Sequence, residues 1–226
     1  IYKDNDIVIC DSWKSINAVP DKVKKIIVFA HGQEYLATKK TNLIKKSLYR
    51  ANHIISSSNY TLDLINNMNI TEIKKSIIPP TYSLKAIDEN NIFKQPTKKV
   101  SILSITRLEE RKGIIPVLKS LGYLHKEKLI KPFIWKICGE GNQETEIKNY
   151  IDNLGLSKHV RLLGKVSDEI KNKLLKKTDL FVMPSYKVKN SIEGFGISYI
   201  EAASYGVPSI AGVEGGIRDA VFDMKT

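Results

Sequence analysis

The sequence predicts an α/β protein of the doubly wound type, with parallel strands buried between layers of helices. Two observations support this prediction. Short runs that are apolar throughout recur from end to end, and segments with helical spacing of apolar residues lie between most of them. Fully apolar strands that alternate with helices are typical of parallel sheets covered on both faces, and the alternation is that of a doubly wound architecture.

The predicted strands are short apolar runs in both halves of the chain. In order, they are IVIC at Ile7, KIIVFA before His31, HIISS from His53, VSILSIT from Val100, FIWKICG from Phe133, VRLLG from Val160, LFVMPS from Leu180 and PSIAG from Pro208. Helices are predicted in TNLIKKSLYRA, YTLDLINNM, IIPVLKSLGYLHKEK, TEIKNYIDNLG, EIKNKLLKK and ISYIEAASYG, from their apolar periodicity. In the last of these, the predicted apolar face is Ile197, Ile200, Ala203 and Tyr205.

The stretch from Ile77 to Lys99 interrupts this alternation. It contains three prolines and many polar residues without strong periodicity, which predicts a linker. We therefore expect two domains, at residues 1–97, with the linker from about residue 77, and at residues 98–226. About three strands precede the linker, and the second part ends soon after a strand, so both domains are expected to be incomplete.

The composition is that of an ordinary globular protein, with 226 residues, 42% hydrophobic and 27% charged. No apolar run approaches the length of a membrane span, and no signal-peptide pattern opens the chain. Cys10 and Cys138 lie far apart beside apolar strands, which predicts reduced core residues of a cytoplasmic protein. Because the first residue is Ile1 and a strand follows almost at once, we expect the chain to begin inside a longer protein.

The net charge of +12 narrows the class of partner. A strongly basic chain favours nucleic acid, an anionic membrane surface or a phosphorylated small molecule. No helix-turn-helix, zinc-finger or aromatic-basic RNA-binding signature accompanies the lysines, which are scattered through segments such as IKNKLLKK. Nucleic acid is therefore the least favoured of the three partners.

Candidate functional residues lie where the predicted strands end, because open α/β sheets bind ligands at the carboxyl ends of their strands. The loop RLEERKG follows VSILSIT and contains Arg107 and Lys112. Two such cations can hold a diphosphate, the arginine through bidentate contacts and the lysine as a point charge. The alternative is a solvated loop whose charge is partly neutralised by Glu109 and Glu110.

Glycines, a histidine and a helix cap follow other strands. Gly139 and Gly141 come after FIWKICG and allow a tight turn before the next helix. This GxG is a weak signal, because the third glycine and the distal acidic residue of a dinucleotide-binding fingerprint are missing. His31 follows KIIVFA beside a glycine, where a structural and a functional role are both open. After VRLLG, Ser167 or Asp168 is expected to cap a helix.

The segment EGFGISYIE combines glycines with two carboxylates. Gly194, Phe195 and Gly196 directly precede the predicted helix ISYIEAASYG, whose first turn has unpaired N–H groups and a dipole that favour an anion. Glu193 lies before this turn and Glu201 about one turn into the helix, so both carboxylates could bind hydroxyl groups near a phosphate. A glycine turn between two solvated glutamates is an equal alternative for this segment.

Several familiar catalytic motifs are missing from the sequence. It has no His/Cys metal cluster, no GxSxG segment and no phosphate-binding loop ending in Gly-Lys-Ser/Thr. The segment DND, from Asp4 to Asp6, resembles an Asp-x-Asp metal site. It precedes a strand instead of following one, so we expect no metal there.

A series of segments, taken in order, closely resembles the nucleotide-sugar-binding half of retaining GT-B glycosyltransferases. They are RLEERKG, CGEGNQETEI, VRLLGKV, DLFVMPS, EGFGISYIEAASYGVPSIAG and EGGIRDAV, between Val100 and Val221. This large bacterial family, glycosyl transferases group 1, has an EGFG-x4-E motif and builds surface polysaccharides and glycolipids. FAHGQEY and RANHIISSSNYTLDLI resemble the later part of its acceptor domain more loosely. The resemblance implies a GT-B fold, in which two Rossmann-like domains face a cleft.

The resemblance also implies a role for each candidate residue. Arg107 and Lys112 would neutralise the donor diphosphate in place of a divalent metal. Glu201 would bind the ribose hydroxyls, Glu193 would bind hydroxyls of the transferred sugar, and His31 would contact the sugar or its phosphate. The remaining donor-binding residues, acting largely through backbone atoms or lining the base pocket, would be Gly139, Gly141, Lys165, Val166, Gly194, Phe195 and Gly196.

Two positions depart from the family pattern. Thr106 stands before the arginine, where the family usually has glycine, and makes that loop less pliable. Pro80-Thr81 stands where the family has Asn-Gly, so the turn into the linker must differ. Neither departure removes a side chain to which a chemical role is assigned.

The implied function is retaining transfer of a hexose or N-acetylhexosamine from a UDP- or GDP-linked sugar to a glycan or lipid-linked acceptor. No metal or other cofactor is expected. The implied location is the cytoplasm, with peripheral contact at the anionic inner face of the cell membrane, which excess lysines would suit. The alternatives are a non-catalytic nucleotide-sugar-binding subunit, a GT-B sugar-nucleotide epimerase and a polymerase like glycogen synthase. The EGFG-x4-E spacing argues against the epimerase, and the short linker argues mildly against the polymerase.

Overall fold

The computed structural model describes Lys3 and residues 6–36, 38–81 and 99–225, in two compact units. Unit 1 consists of Ile1–Pro80, Lys189–Gly196 and Glu214–Ala220, and unit 2 of Thr81–Val188, Ile197–Val213 and Val221–Thr226. The sequence predicts both late segments of unit 1 for the second domain, whereas the structure groups them with the first. The predicted boundary near Lys98 falls outside the described part of the chain and stays a prediction.

Unit 1 is built on a parallel sheet whose described strands lie in the order β1-β2-β3-β4. The strands are β1 (Ile7–Cys10), β2 (Lys25–Ala30), β3 (His53–Ser56) and β4 (Lys74–Ile77), and the helices are α1 (Thr41–Leu48) and α2 (Asn59–Asn66). Short 3-10 turns cover Ser15–Ala18, Gln33–Tyr35 and Thr38–Lys40. The predictions of β1, β2, β3, α1 and α2 are confirmed.

The strand β4 was missed by the sequence prediction. Its segment KKSI has no apolar run, and none of its residues is fully buried. It pairs in parallel with β3, with His53 opposite Lys74 and Ser56 opposite Ile77. The expectation of about three strands in the first domain is therefore wrong, because backbone pairing and not apolar pattern defines this strand.

The core of unit 1 combines the apolar residues of β2 and β3 with one face of each helix. The helix α1 buries Ile44 and Leu48, and α2 buries Ile65. The chain between β1 and β2 adds Trp13 and Ile16 to the same cluster. This packing fixes the carboxyl ends of β2 and β3, from which the turns that contain His31 and Ser58 depart.

Unit 2 contains a parallel sheet whose described strands lie in the order β7-β6-β5-β8-β9. Its elements are β5 (Val100–Ile105), α3 (Ile114–Lys126), β6 (Phe133–Cys138), α4 (Glu144–Asn153), β7 (Val160–Gly164), α5 (Asp168–Leu175), β8 (Leu180–Met183), α6 (Ile197–Ala203) and β9 (Ser209–Ala211). The chain runs outward from β5 to β7 and then returns to β8 on the other side of β5. Such a reversal leaves a crevice at the carboxyl ends of the strands.

The sequence predicted every one of these unit 2 elements, but it misjudged the buried face of α6. The structure buries Tyr199 and Ala202 and leaves Ile197 exposed. The hydroxyl of Tyr199 donates to the carbonyl oxygen of Met183 in β8, which fixes this orientation. Cys138 is buried and unbridged, as predicted. No helix in the described part of the chain is long and apolar enough to cross a membrane.

A chain of buried hydrogen bonds links three strands of unit 2. Trp135 Nε1 in β6 donates to Ser104 Oγ in β5 over 2.9 Å, and Ser104 Oγ donates to the carbonyl oxygen of Val182 in β8. All three residues are buried. A buried indole N–H without a partner is costly, so Ser104 allows a tryptophan to occupy the centre of the core.

Replacing Ser104 with alanine is expected to destabilise unit 2 by about 1–3 kcal/mol, because the Trp135 N–H would stay buried without a partner. Ser120 is the matched control, since its Oγ donates to Pro116 O over 3.1 Å on an exposed part of α3. Ser120→Ala should change the free energy of unfolding by less than about 0.5 kcal/mol. Urea unfolding measures both values, and equal losses would contradict the role given to Ser104.

Candidate functional site

A cavity of about 550 Å³ lies at the carboxyl ends of β5, β6 and β7 in unit 2. Its lining residues are Ile105, Thr106, Arg107, Cys138, Gly139, Glu140, Lys165, Val166, Asp168, Lys171 and Ser198. The volume is typical of small-molecule sites. The position beside the reversal of strand order is where open α/β sheets bind their ligands.

A second cavity in unit 2, of about 600 Å³, has a different chemical character. Most of its wall is formed by apolar residues of β5, β8, β9 and α3, such as Leu121 and Ile210, and Lys131 is its charged lining residue. It lacks the convergent polar groups that orient a ligand. The cavity at the ends of β5, β6 and β7 is therefore the candidate site.

The loops after β5 and β6 touch each other through their backbones. Leu108 N donates to Glu140 O over 2.9 Å. Gly139 has a φ of +129°, and a Cβ atom there would lie 1.7 Å from the carbonyl oxygen of Thr106. A Cβ on Gly141 would lie 2.3 Å from the carbonyl oxygen of Leu108. Both glycines of the GxG segment are thus required by the neighbouring loop, and together the two loops form one wall of the cavity.

The two cations predicted to hold a diphosphate have different surroundings. Arg107 lines the cavity; its side chain is 65% exposed, and its Nη1 lies 2.8 Å from Glu109 Oε1. Lys112 is buried in the 3-10 turn Glu110–Lys112 and is not among the described residues that line the cavity. The adjacent Arg111 is also buried, 3.2 Å from Glu109. Glu109 therefore neutralises part of the loop's charge, while Arg107 stays accessible from the cavity.

Glu201 forms a buried ion pair with Lys171, a residue that the sequence did not single out. Glu201 Oε1 lies 2.7 Å from Lys171 Nζ, and the two side chains are only 11% and 16% exposed. The same ammonium lies 3.0 Å from Oδ1 of the exposed Asp168. Burial lowers the pKa of Lys171, but its hydrogen bonds to Glu201 and Asp168 outweigh burial and raise the pKa above its ordinary value. Lys171 is therefore protonated on the cavity wall.

The loop between β7 and α5 provides another part of the wall. Lys165 is exposed, Val166 is half-buried, and both line the cavity. Ser167 caps α5, because its Oγ accepts a hydrogen bond from the Ile170 N–H over 3.4 Å. Of the two predicted caps, the structure selects Ser167, and this cap fixes the start of the helix that presents Lys171.

In unit 1, four separate parts of the chain meet around Gly194. A Cβ atom on Gly194 would lie 2.0 Å from the carbonyl oxygen of His31, and one on Gly216 would lie 1.8 Å from the carbonyl oxygen of Gly194. Ser58 Oγ, which caps α2, donates to this same Gly194 carbonyl over 2.8 Å. The turn after β2 is therefore in backbone contact with the EGFG segment.

Residues near this contact form local hydrogen bonds through a side chain and through the backbone. His31 Nε2 lies 2.9 Å from the carbonyl oxygen of Asp11, and its imidazole is exposed. The carbonyl oxygen of Glu193 accepts from Gly216 N over 2.9 Å, and Phe195 is buried. Unit 1 thus brings His31 close to the EGFG segment along the backbone.

Unit 2 gathers Arg107, Gly139, Lys165 and Val166 around one cavity, and Lys171 joins this group to Glu201. Ser198 also lines the cavity, and its Oγ donates to Ile105 O over 3.1 Å. Neither Lys171 nor Ser198 was predicted as a site residue. The Asp168–Lys171 spacing at the start of α5 is the one local signal that could have drawn attention to Lys171.

No group of three or more His, Cys, Asp or Glu side chains among the described residues is arranged to hold a metal ion. Asp4 and Asn5 of the DND segment lie outside the described residues. The positive charge of the candidate site comes instead from Arg107, Lys165 and Lys171.

Comparison with known proteins identifies the family. Residues 87–226 match the family model described as glycosyl transferases group 1, which covers more than half of the chain. The chain belongs to this family. The matched region of this group 1 glycosyltransferase chain includes every described strand of unit 2 and the whole wall of the candidate cavity.

Two curated relatives are longer than this chain. The amylovoran biosynthesis glycosyltransferase AmsK of Erwinia amylovora is 30% identical over 156 residues, 68% of this chain and 36% of that protein. The putative colanic acid biosynthesis glycosyltransferase WcaL of Escherichia coli is 28% identical over 130 residues, 57% of this chain and 31% of that protein. The chain spans about a third of the length of these relatives.

Among solved structures, HepE of Anabaena in complex with UDP-glucose superimposes with a TM-score of 0.74 and 18% identity. The superposition covers 96% of this chain and 62% of that one. At this identity the likeness shows the fold. The prediction of a GT-B fold is confirmed, with its parallel, Rossmann-like sheets.

Replacing Gly139 with alanine is expected to disrupt the candidate cavity, because the new Cβ would overlap the Thr106 carbonyl unless one loop moves. Gly155 is the matched control: its φ of +67° is also positive, but nothing lies within 4 Å of its Cβ position. Gly155→Ala should lower the free energy of unfolding by about 1–2 kcal/mol, which is the cost of the left-handed backbone conformation alone. Gly139→Ala should lower it by clearly more. Denaturant unfolding compares the two, and similar losses would show that the loop contact is dispensable.

Proposed function

We propose that the chain is part of a retaining glycosyltransferase that moves a hexose or N-acetylhexosamine from a UDP- or GDP-linked donor to a glycan or lipid-linked acceptor. The observation that carries this proposal is the unit 2 cavity, which gathers Arg107, Lys165 and Lys171 in a member of a glycosyltransferase family. The names of AmsK and WcaL support a role in the synthesis of a surface polysaccharide.

The size and charge of the cavity suit a nucleoside diphosphate. Arg107 can form bidentate contacts with phosphate oxygens from the wall formed by the two touching loops. Lys165 and Val166 lie on another part of the wall, where we assign the base. The complex of HepE with UDP-glucose, a protein of the same fold, supports a nucleotide sugar as the class of donor.

In the proposed reaction, the bond between the anomeric carbon and the diphosphate oxygen breaks as the acceptor oxygen bonds to that carbon from the same face. The diphosphate leaves with the electron pair and takes the proton of the acceptor hydroxyl. Arg107 stabilises the charge that develops on this leaving group. Lys112 of the same loop is assigned as the second cation, although it is buried and is not among the described residues that line the cavity, so its charge would act without direct contact. The scheme requires neither a carboxylate nucleophile nor a metal ion.

The remaining residues are assigned to separate parts of the donor. Glu201 accepts hydrogen bonds from the ribose hydroxyls, and Glu193 accepts them from the transferred sugar. The backbone amides of Gly194, Phe195 and Gly196 face the sugar and the diphosphate, and His31 contacts the sugar or its phosphate. A lipid-linked acceptor would bring the protein to an anionic membrane, which its net charge of +12 suits.

Donor binding is tested most directly by thermal unfolding in the presence of UDP- and GDP-sugars. A ligand that binds only the folded protein stabilises it by about 2.7 kcal/mol at a concentration one hundred times its dissociation constant. For the full-length protein, we expect one of the two donor classes to raise the melting temperature and to be consumed when acceptor is added. If neither class shifts the melting temperature at millimolar concentration, the proposed function is wrong.

The two glutamates are expected to affect different steps. Glu201→Ala should weaken the binding of free nucleoside diphosphate, by about 1.5–3 kcal/mol for each charge-assisted hydrogen bond lost. Glu193→Ala should leave that binding nearly unchanged and lower the rate of sugar transfer, because its carboxylate is assigned to the sugar. Calorimetry measures the first effect, and single-turnover transfer measures the second.

The unfolding free energy of both variants is the control, since Glu201 is buried in unit 2. Equal weakening of nucleoside diphosphate binding by both substitutions would contradict the division between ribose and sugar. Unchanged transfer in both variants would contradict the assignment of either glutamate to the donor.

Transfer is expected to continue in excess EDTA, because cationic side chains, and not a metal ion, are assigned to the leaving diphosphate. Arg107→Ala should lower the transfer rate by about 10²–10³, the loss typical of one preorganised electrostatic contact. Arg161→Ala is the matched control, since Arg161 is an exposed arginine of β7 away from the cavity wall. Loss of activity in EDTA that is restored by magnesium or manganese would overturn this assignment.

A further inference from the structure

We propose that Lys171 is a positioning residue for the donor site, one that keeps the Glu201 carboxylate ionised and holds it in place for the nucleotide ribose. The proposal rests on the proposed function in one respect, the assignment of ribose to Glu201. The contact between Lys171 and Glu201 stands independently of that assignment.

The geometry of the ion pair supports this role. Glu201 lies in α6 and Lys171 in α5, and the ammonium reaches Oε1 over 2.7 Å. This contact occupies one carboxylate oxygen, and we assign the other oxygen, Oε2, to the ribose hydroxyls. A carboxylate fixed through one oxygen has a defined direction for the hydrogen bonds that the other oxygen accepts.

Burial makes the partner necessary. The Glu201 side chain is only 11% exposed, and transfer of an isolated carboxylate out of water favours its protonated form. A protonated carboxyl group would bind ribose hydroxyls less well, because hydrogen bonds to an ionised acceptor are the stronger ones. Lys171 supplies the positive charge that opposes this effect.

The charge of Lys171 is itself maintained by two carboxylates. Glu201 and Asp168 both lie within ion-pair distance of its Nζ, at 2.7 and 3.0 Å. Asp168 is 88% exposed and belongs to the same helix as Lys171, so it supports the ammonium from the solvent side. The other cations on the cavity wall are Arg107 and Lys165, on the loops after β5 and β7.

Lys171 also connects Glu201 to the cavity. Lys171 is among the described residues that line the cavity, and its Nζ donates to Glu201 Oε1 over 2.7 Å. This arrangement couples the position of α5 to that of α6, two helices that are separated along the chain by β8.

The first experiment needs no ligand. The Glu201 side-chain carboxyl group is followed by carbon-13 NMR between about pH 5 and pH 9 in the wild-type protein and in Lys171→Met. We expect the pKa of Glu201 to be clearly higher in Lys171→Met, because a buried carboxylate loses its counter-charge. Lys173→Met is the matched control, since Lys173 is an exposed lysine of the same helix and its loss should leave the Glu201 titration unchanged.

The second experiment measures UDP and GDP binding by calorimetry at several pH values between about pH 7 and pH 9. Lys171→Met should bind the nucleotide about tenfold or more weakly than the wild-type protein, the effect of one lost charge-assisted contact. Lys171→Arg keeps the charge and should restore most of the affinity at every pH.

A double-mutant cycle distinguishes the proposed role of Lys171 from a general loss of folding. In the Glu201→Gln background no buried carboxylate remains, so adding Lys171→Met should cause little further loss of affinity and no pH dependence. A loss that persists undiminished in this background would overturn the proposal. An unchanged Glu201 titration in Lys171→Met would overturn it as well. If the wild-type protein binds neither UDP nor GDP, the proposed function fails, and the NMR titration alone decides the role of Lys171.

Discussion

The candidate site depends on one close approach, that of the loop after β6 to the loop after β5. The carbonyl oxygen of Thr106 lies where a Cβ of residue 139 would be, so only glycine allows the two backbones to touch. The parallel pairing of β5 and β6 therefore continues into the loops and ends in a rigid wall. Arg107 leaves this wall directly after the contact, and its place at the cavity follows from it.

The sequence predicted most of the fold because apolar burial leaves a clear pattern in buried parallel strands. The run VSILSI of β5 lies between two other strands and shows that pattern, whereas KKSI of β4 pairs with one described strand, has no fully buried residue and shows none. The buried face of α6 was misjudged for a related reason. Tyr199 turns inward to reach a carbonyl group on β8, and a hydrogen bond of this kind cannot be read from apolar spacing.

The candidate site was predictable where the residues lining the cavity follow strand ends, as Arg107, Gly139 and Lys165 do. It was not predictable where a lining residue is distinguished by a partner far along the chain. Lys171 lies in the lysine-rich segment EIKNKLLKK. Apart from its spacing to Asp168 it looks like the other lysines there, and its contact with a residue 30 positions later is what distinguishes it. Lys112 shows the opposite case, because a lysine in a polar loop is expected to be exposed and is instead buried.

The hydrogen bonds at the start of α2 affect the order in which the two units can fold during synthesis. Ser58 contacts Gly194, which is 136 residues later in the chain, and Asn59 contacts Asp219, which is 160 residues later. At a synthesis rate of about 5–20 residues per second, the first turn of α2 waits roughly 7–32 seconds for these partners. The last described strand of unit 1 ends at Ile77, but Glu214–Ala220 of the same unit are made only after the described strands of unit 2. The order of translation is therefore not the order in which the two units reach their final form.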